Sequence, residues 1–125
     1  MNIPSNLKFS QSDEWFDAGS GKIGLTDYAQ SQLSDIVFVE FLVDEGEEIE
    51  AGTAIASVES VKASAEVYAT ASGTVKALNE SLEDSPELIN TNPYDEAWLV
   101  QVDGTSADDL MDAVAYEKYC EEREQ

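Results

Sequence analysis

Two runs of small and β-branched residues, TAIASVES (53–60) and ASAEVYA (63–69), are separated only by Val61 and Lys62. Alternating runs with a two-residue break have one compact solution, an antiparallel hairpin with the break at its tip. In the first run Ala54, Ala56 and Val58 fall on one face, with Ile55, Ser57 and Glu59 on the other. In the second, Ala63, Ala65, Val67 and Ala69 oppose Ser64, Glu66 and Tyr68, because strand side chains alternate. The tip holds no Gly, Asn or Asp, so a type I-like bend is expected rather than type I′. Small neighbours leave the Lys62 amine projecting without a salt-bridge partner. By spacing alone, Lys62 is either an ordinary solvated turn lysine or the base of a swinging arm.

The remaining segments fit the same architecture. DIVFVEFLV (35–43) is apolar at nearly every position, as for a strand buried on both faces. EGEEIEAG is a short edge-like piece between the turn residues Gly46 and Gly52, and ASGTVKAL reads as a Gly73 turn followed by a strand. AWLVQV (97–102) is a late strand, Trp98, Val100 and Val102 alternating against Leu99 and Gln101. Thr26 is the expected N-cap of a helix over TDYAQSQL, with Asp27 favourably placed against the helix dipole. A C-terminal helix is expected over about 106–122, capped by Ser106, with an apolar stripe of Leu110, Val114, Tyr116, Tyr119 and Cys120. LNESLEDSPELINTNPYDE reads as loop with one helical turn, punctuated by Pro86 and Pro93. The chain is mainly β, a barrel or sandwich with helical trimmings, and 125 residues suit one domain spanning 1–125.

Composition removes whole function classes. There is no histidine, which takes away the commonest general base, the Ser-His-Asp arrangement and most zinc sites. No GxGxxG or GxxxxGKS loop is present. The acids of VDEGEEIEAG lack the alternating spacing of a calcium loop and read as a solvated turn. A net charge of −21 repels nucleic-acid phosphates and anionic lipid and favours brief docking on more basic proteins. A salt-rich cytoplasm is a second explanation of that acidity. The single Cys120 precludes an intrachain disulfide. No secretory signal or spanning run of roughly 20 apolar residues is present, so a cytoplasmic location is expected, or a mitochondrial matrix if a transit peptide is missing. A self-sufficient enzyme is not expected.

The stretch VESVKASAEVYATASGTVKALN resembles the lipoyl-attachment segment of the glycine cleavage system H-protein family. LKFSQSDEW, GKIGLTDYAQSQLSDIVFVEF and DSPELINTNPYDEAWL resemble further family segments in the family's order, so the resemblance covers roughly residues 4–120. Lipoyl domains of 2-oxo acid dehydrogenases usually carry their lysine in a DKA context, and biotin carriers flank theirs with methionine. Val61 and Ala63 argue against the latter. The resemblance implies a barrel-sandwich hybrid fold and lipoic acid amide-linked to Lys62, with Glu59, Ser60, Val61 and Ala63 as the recognition context of a lipoate-attaching enzyme. It implies a monomeric shuttle carrying an aminomethyl group from the glycine decarboxylase (P protein) to the aminomethyltransferase (T protein), reoxidised by dihydrolipoamide dehydrogenase (L protein). The alternatives are a like carrier serving lipoyl relay or another sulfur-transfer pathway, and an unmodified acidic interaction module. A carrier gains from a cleft that keeps water from its loaded end. A protonated amine there wants carboxylate and hydroxyl acceptors, and Ser12, Glu14 and Glu66 are the candidates by position in the family fold. The chain departs from the family at Asp13, commonly His, and at Ala97, commonly Gly. The second would cost up to about 1 kcal/mol or more if that position needs positive φ.

Overall fold

The computed structural model describes residues 2–106 and 110–123. Among the described residues, nine strands form two antiparallel sheets. They are β1 (Lys8–Phe9), β2 (Glu14–Asp17), β3 (Lys22–Leu25), β4 (Ile36–Phe41), β5 (Glu48–Ile49), β6 (Ala54–Ser60), β7 (Ser64–Tyr68), β8 (Ser72–Leu78) and β9 (Val100–Ser106). One sheet has the order β1-β2-β3-β9-β8-β5, the other β4-β6-β7. Their inner faces pack Ile23, Val39, Ile55, Val58, Val67, Val75 and Leu99 into one core, and burial of such side chains is the main term favouring the fold. The expected β6–β7 hairpin is present, with Glu59 opposite Ser64 at its closed end. The acidic EGEEIEAG segment supplies β5, an edge strand beside β8.

Four helices among the described residues trim the sheets: α1 (Asp27–Leu33), α2 (Ser81–Asp84), α3 (Leu88–Thr91) and α4 (Ala113–Arg123). Thr26 caps α1 as expected, its hydroxyl accepting the Ala29 N–H at 3.1 Å. Asn90 of α3 accepts the Ile36 N–H at 2.8 Å and donates to Gln30 and to the Ser34 carbonyl. That one side chain therefore ties α3, α1 and the start of β4 together. A second cluster lies outside the sheets' core. Phe9, Trp15 and Tyr28 receive Tyr116 and Cys120 of α4, with the Phe9 and Tyr116 rings stacked at 4.7 Å.

Several sequence-based expectations are corrected. The β4 segment is not buried on both faces: Val37, Phe38 and Leu42 are largely exposed while Ile36, Val39 and Val43 are buried. It is an edge strand with an irregularity between Ile36 and Phe38, and only one face meets the opposing sheet. In β6 the alternation breaks, because a register shift between Ala54 and Ala56 turns both Ile55 and Ala56 inward. Gly73 lies within β8 opposite Ile49 rather than in a turn. β9 begins at Val100 rather than Ala97, Leu99 and Val100 are both fully buried, and two register shifts, between Ser72 and Thr74 and between Val75 and Ala77, interrupt its pairing with β8. The loop after β8 holds two single-turn helices rather than one turn.

The C-terminal helix begins at Ala113, not after Ser106, which pairs with Ser72 in β9. Residues 107–109 lie outside the described residues. Asp112 serves as the cap, accepting the Ala115 N–H at 2.9 Å. With that start Tyr116 and Cys120 face inward, while Val114 falls off the stripe and is exposed. Ala97 is buried and is not among the residues with positive φ, so it carries no strain. A β-carbon is not tolerated so readily at Gly24, where it would stand 2.7 Å from Trp15 Nε1. The indole is fixed by donating to the Pro93 carbonyl at 3.0 Å. Gly24→Ala is expected to destabilise the protein by about 1–3 kcal/mol, seen as a lowered urea midpoint with unchanged slope.

Candidate functional site

Ser60 closes the β6–β7 hairpin. Its N–H donates to the Ala63 carbonyl at 2.7 Å, and its hydroxyl oxygen accepts from the N–H groups of Lys62 and Ala63 at 3.3 and 3.0 Å. The Val61 N–H reaches the Asp35 carbonyl, just before β4, at 3.1 Å. Every N–H from Ser60 to Ala63 thus has an acceptor, and no residue of the tip needs positive φ. The bend is held without glycine, as the tip's composition required. On this fixed base the Lys62 side chain is exposed and has no hydrogen-bond or ion-pair partner among the described residues. Val61 beside it is 67% exposed, and Glu59 is exposed between Phe38 and Ser64 on the outer face of the sheet. A free primary amine on a rigid, sterically open tip fits an acylated lysine. No buried carboxylate would lose its counter-charge when the amine became an amide.

The second constellation lies at the other end of β7. Glu14 opens β2 with its side chain inside the protein, 1% exposed. Its Oε1 accepts from the Ser10 and Ser12 hydroxyls at 2.7 and 2.5 Å. Its Oε2 accepts the Tyr68 N–H of β7 at 3.1 Å, so one carboxylate joins the two sheets. A carboxylate offers about four lone-pair sites, and three donors leave one open on Oε2. Ser12 is exposed above it. A cation arriving over Ser12 would meet a carboxylate that is already desolvated and oriented.

Of the three expected cleft residues, Ser12 and Glu14 are brought together. Glu66 is not in contact with them: it is exposed, two residues before Tyr68, whose hydroxyl lies 3.4 Å from its Oε1. At ~3.3 Å per strand residue, Lys62 stands roughly 13 Å from Glu66 and roughly 20 Å from Tyr68 along β7. The first is within the reach of an extended lysine side chain carrying an eight-carbon acyl chain, roughly 14–16 Å from bonds of ~1.5 Å, and the second lies a few ångströms beyond it. A concavity of about 530 Å³ lined by Glu48, Ile49, Glu50, Thr53, Gly73 and Thr74 lies at the far end of β6 from Lys62 and outside that path.

Sequence reasoning missed Ser10, which both donates to the Glu14 carboxylate and accepts the Glu14 N–H at 3.0 Å. Two serines placed four and two residues before the acid in SQSDE were the available signal. It also missed Asp13, whose carboxylate accepts from Tyr116 at 2.8 Å and from both terminal nitrogens of Arg123 at 2.6 and 3.1 Å. Where the family commonly has an imidazole, this chain has an anchor for α4.

The glycine cleavage H-protein family description matches residues 7–123. The glycine cleavage system H protein of Deinococcus radiodurans is 47% identical over 91% of this chain and 93% of its own length. That of Bacillus cereus strain AH187 is also 47% identical, over 97% of this chain and 96% of its own. The crystal structure of a glycine cleavage system H protein from Mycobacterium marinum superposes with a TM-score of 0.85 at 30% identity, covering 98% of this chain and all of that one. The two-sheet arrangement is thus the barrel-sandwich hybrid expected from the sequence.

Burial pushes the Glu14 carboxyl above its ordinary value of 4.5, with Asp13 adding to the rise and the Ser12, Ser10 and Tyr68 donors opposing it. The folded protein therefore holds this proton more tightly than the unfolded chain. The corresponding stability is present at low pH and is lost as pH rises through the raised value. Urea midpoints from about pH 4 to about pH 8 should show wild type losing ground to Glu14→Gln and then levelling off. Parallel curves would contradict the assignment.

Proposed function

Because the chain belongs to the glycine cleavage H-protein family, we propose that Lys62 is the residue to which its lipoyl group is amide-linked. The chain is a shuttle of glycine cleavage, moving the aminomethyl group between components of that system. It is a carrier within a multi-enzyme system. When bound, the lipoyl group supplies a reducible disulfide that no side chain of a one-cysteine, histidine-free chain offers. The observation that carries the assignment is the Lys62 amine, exposed and without a partner among the described residues, on a hairpin tip whose backbone N–H groups all have acceptors.

The other residues have defined tasks in this reading. Ser60 keeps the tip in one shape, so a lipoate-attaching enzyme meets the lysine in a fixed frame. Glu59, exposed three residues before it, gives that enzyme a charge to recognise, with Val61 and Ala63 completing the frame. Ser12 and Glu14 form the polar end of the path along β7, where a protonated amine finds acceptors shielded from water. Glu66 stands midway as an exposed carboxylate. The partners are the glycine decarboxylase, the aminomethyltransferase and dihydrolipoamide dehydrogenase, met in turn by a monomer. A net charge of −21 steers such encounters toward basic surfaces and makes them salt-sensitive. No described helix is long and apolar enough to cross a membrane.

Intact-mass measurement and peptide mapping after expression with lipoate are expected to place one adduct on Lys62. Lys62→Ala should lack it, and an adduct persisting in that variant would overturn the assignment. Glu59→Ala should be modified more slowly while shifting stability by under about 0.5 kcal/mol, as for an ordinary surface site. Unchanged modification kinetics would remove Glu59 from the recognition frame.

A further inference from the structure

The turn that carries Ser12 is gripped from outside by α4. Tyr116, Tyr119 and Arg123 recur at three- and four-residue spacing and so share one helical face. The Tyr119 hydroxyl donates to the Gln11 carbonyl at 3.0 Å. Tyr116 donates to Asp13 at 2.8 Å, and Arg123 clamps the same carboxylate with two hydrogen bonds. The guanidinium is itself held between the rings of Tyr28 and Tyr119, at 4.3 and 4.2 Å. A bidentate, doubly stacked arginine has little freedom to reorient.

Asp13 is one of two described non-glycine residues with positive φ, at 73°, a conformation that side-chain-bearing residues enter at a cost and keep only when held. Its carbonyl accepts the Thr26 N–H at 3.1 Å, so backbone and side chain are fixed by different elements. Ser12 and Glu14 are its immediate neighbours, and the hydrogen bond between them spans the left-handed residue.

We propose that Asp13 and Arg123 are a positioning pair through which α4 holds the 10–14 turn in the one conformation that aims the Ser12 hydroxyl at the Glu14 carboxylate. The inference rests on the reading of Ser12 and Glu14 as the polar end of the loaded arm's path. α4 is then a part of that site, acting at one remove, and its grip keeps the acceptors oriented before the cation arrives. Released from α4, the turn relaxes at Asp13, and Glu14 keeps Ser10 and Tyr68 but loses Ser12.

The first test uses the unlipoylated protein and follows the Glu14 side-chain carboxyl by carbon-13 NMR titration. Arg123→Met should raise its midpoint by about half a unit, since a donor that favoured the anion is lost and Asp13 loses its counter-charge. Tyr119→Phe removes only the grip on Gln11 and changes no charge, so a smaller rise there separates positioning from electrostatics. A shift in Arg123→Met alone, or in neither variant, would overturn the proposal. The second test follows decay of the aminomethyl-loaded protein. Arg123→Met should shorten its lifetime roughly three-fold or more, and Arg123→Met combined with Glu14→Ala should decay no faster than Glu14→Ala. Fully additive losses would mean that Arg123 acts elsewhere, which also overturns the proposal. If Glu14→Ala leaves the lifetime unchanged while the titration shifts as expected in both variants, the cleft reading falls and the positioning pair stands.

Discussion

The arrangement depends on one buried carboxylate. Glu14 sits where its two oxygens are shared between sheets, Oε1 toward the serines of its own turn and Oε2 toward the Tyr68 N–H of the other sheet. Burying an ionised carboxylate without donors costs several kcal/mol, and the donors present reduce that cost without cancelling it, since burial still dominates its titration. Such a group is a poor choice for stability alone. It is a good choice for a protein that must greet a cationic cargo away from water, because the reorganisation is complete before the cargo arrives.

From that carboxylate the geometry runs outward along one strand. Tyr68 ends β7, and the same strand begins beside the tip that presents Lys62. A rigid two-stranded ladder therefore fixes the spacing between the proposed attachment point and the Glu14 carboxylate, while the side chain of Lys62 keeps its freedom. Rigid spacing with a free arm is what a shuttle needs. Partners can reach the exposed tip in turn, and in the proposed reading the arm's folded-back position is set by β7 rather than by a loop. The acidity of the outer face near the tip, with Glu40, Glu59 and Glu66 all exposed, suits short encounters in which attraction raises the on-rate more than the affinity.

What the sequence disclosed was local. The hairpin, its glycine-free bend and the Thr26 cap follow from alternation, turn chemistry and capping over a few residues each. The strand irregularities at Ile36/Phe38 and Ala54/Ala56 were not legible, because a bulge answers to the partner strand's register. The start of α4 differs from the expectation because SADDLMDAV offers several capping residues, and the pairing of Ser106 with Ser72 removes the first of them while Asp112 caps the helix. Glu14 was singled out by family resemblance. Nothing in its own neighbourhood announces burial, and one of its donors is 54 residues away. The anchoring role of Asp13 was equally hidden, its partner lying 110 residues on.

Whether the loaded arm lies back along β7 with its end at Glu14 is decided by amide chemical-shift mapping of the lipoylated protein before and after loading with the aminomethyl group. The predicted result is a set of perturbations reaching Ser12, Glu14 and the Tyr68 N–H that bonds to it, together with those at the tip. Perturbations confined to residues 59–64 would contradict it, leaving the loaded arm in solvent.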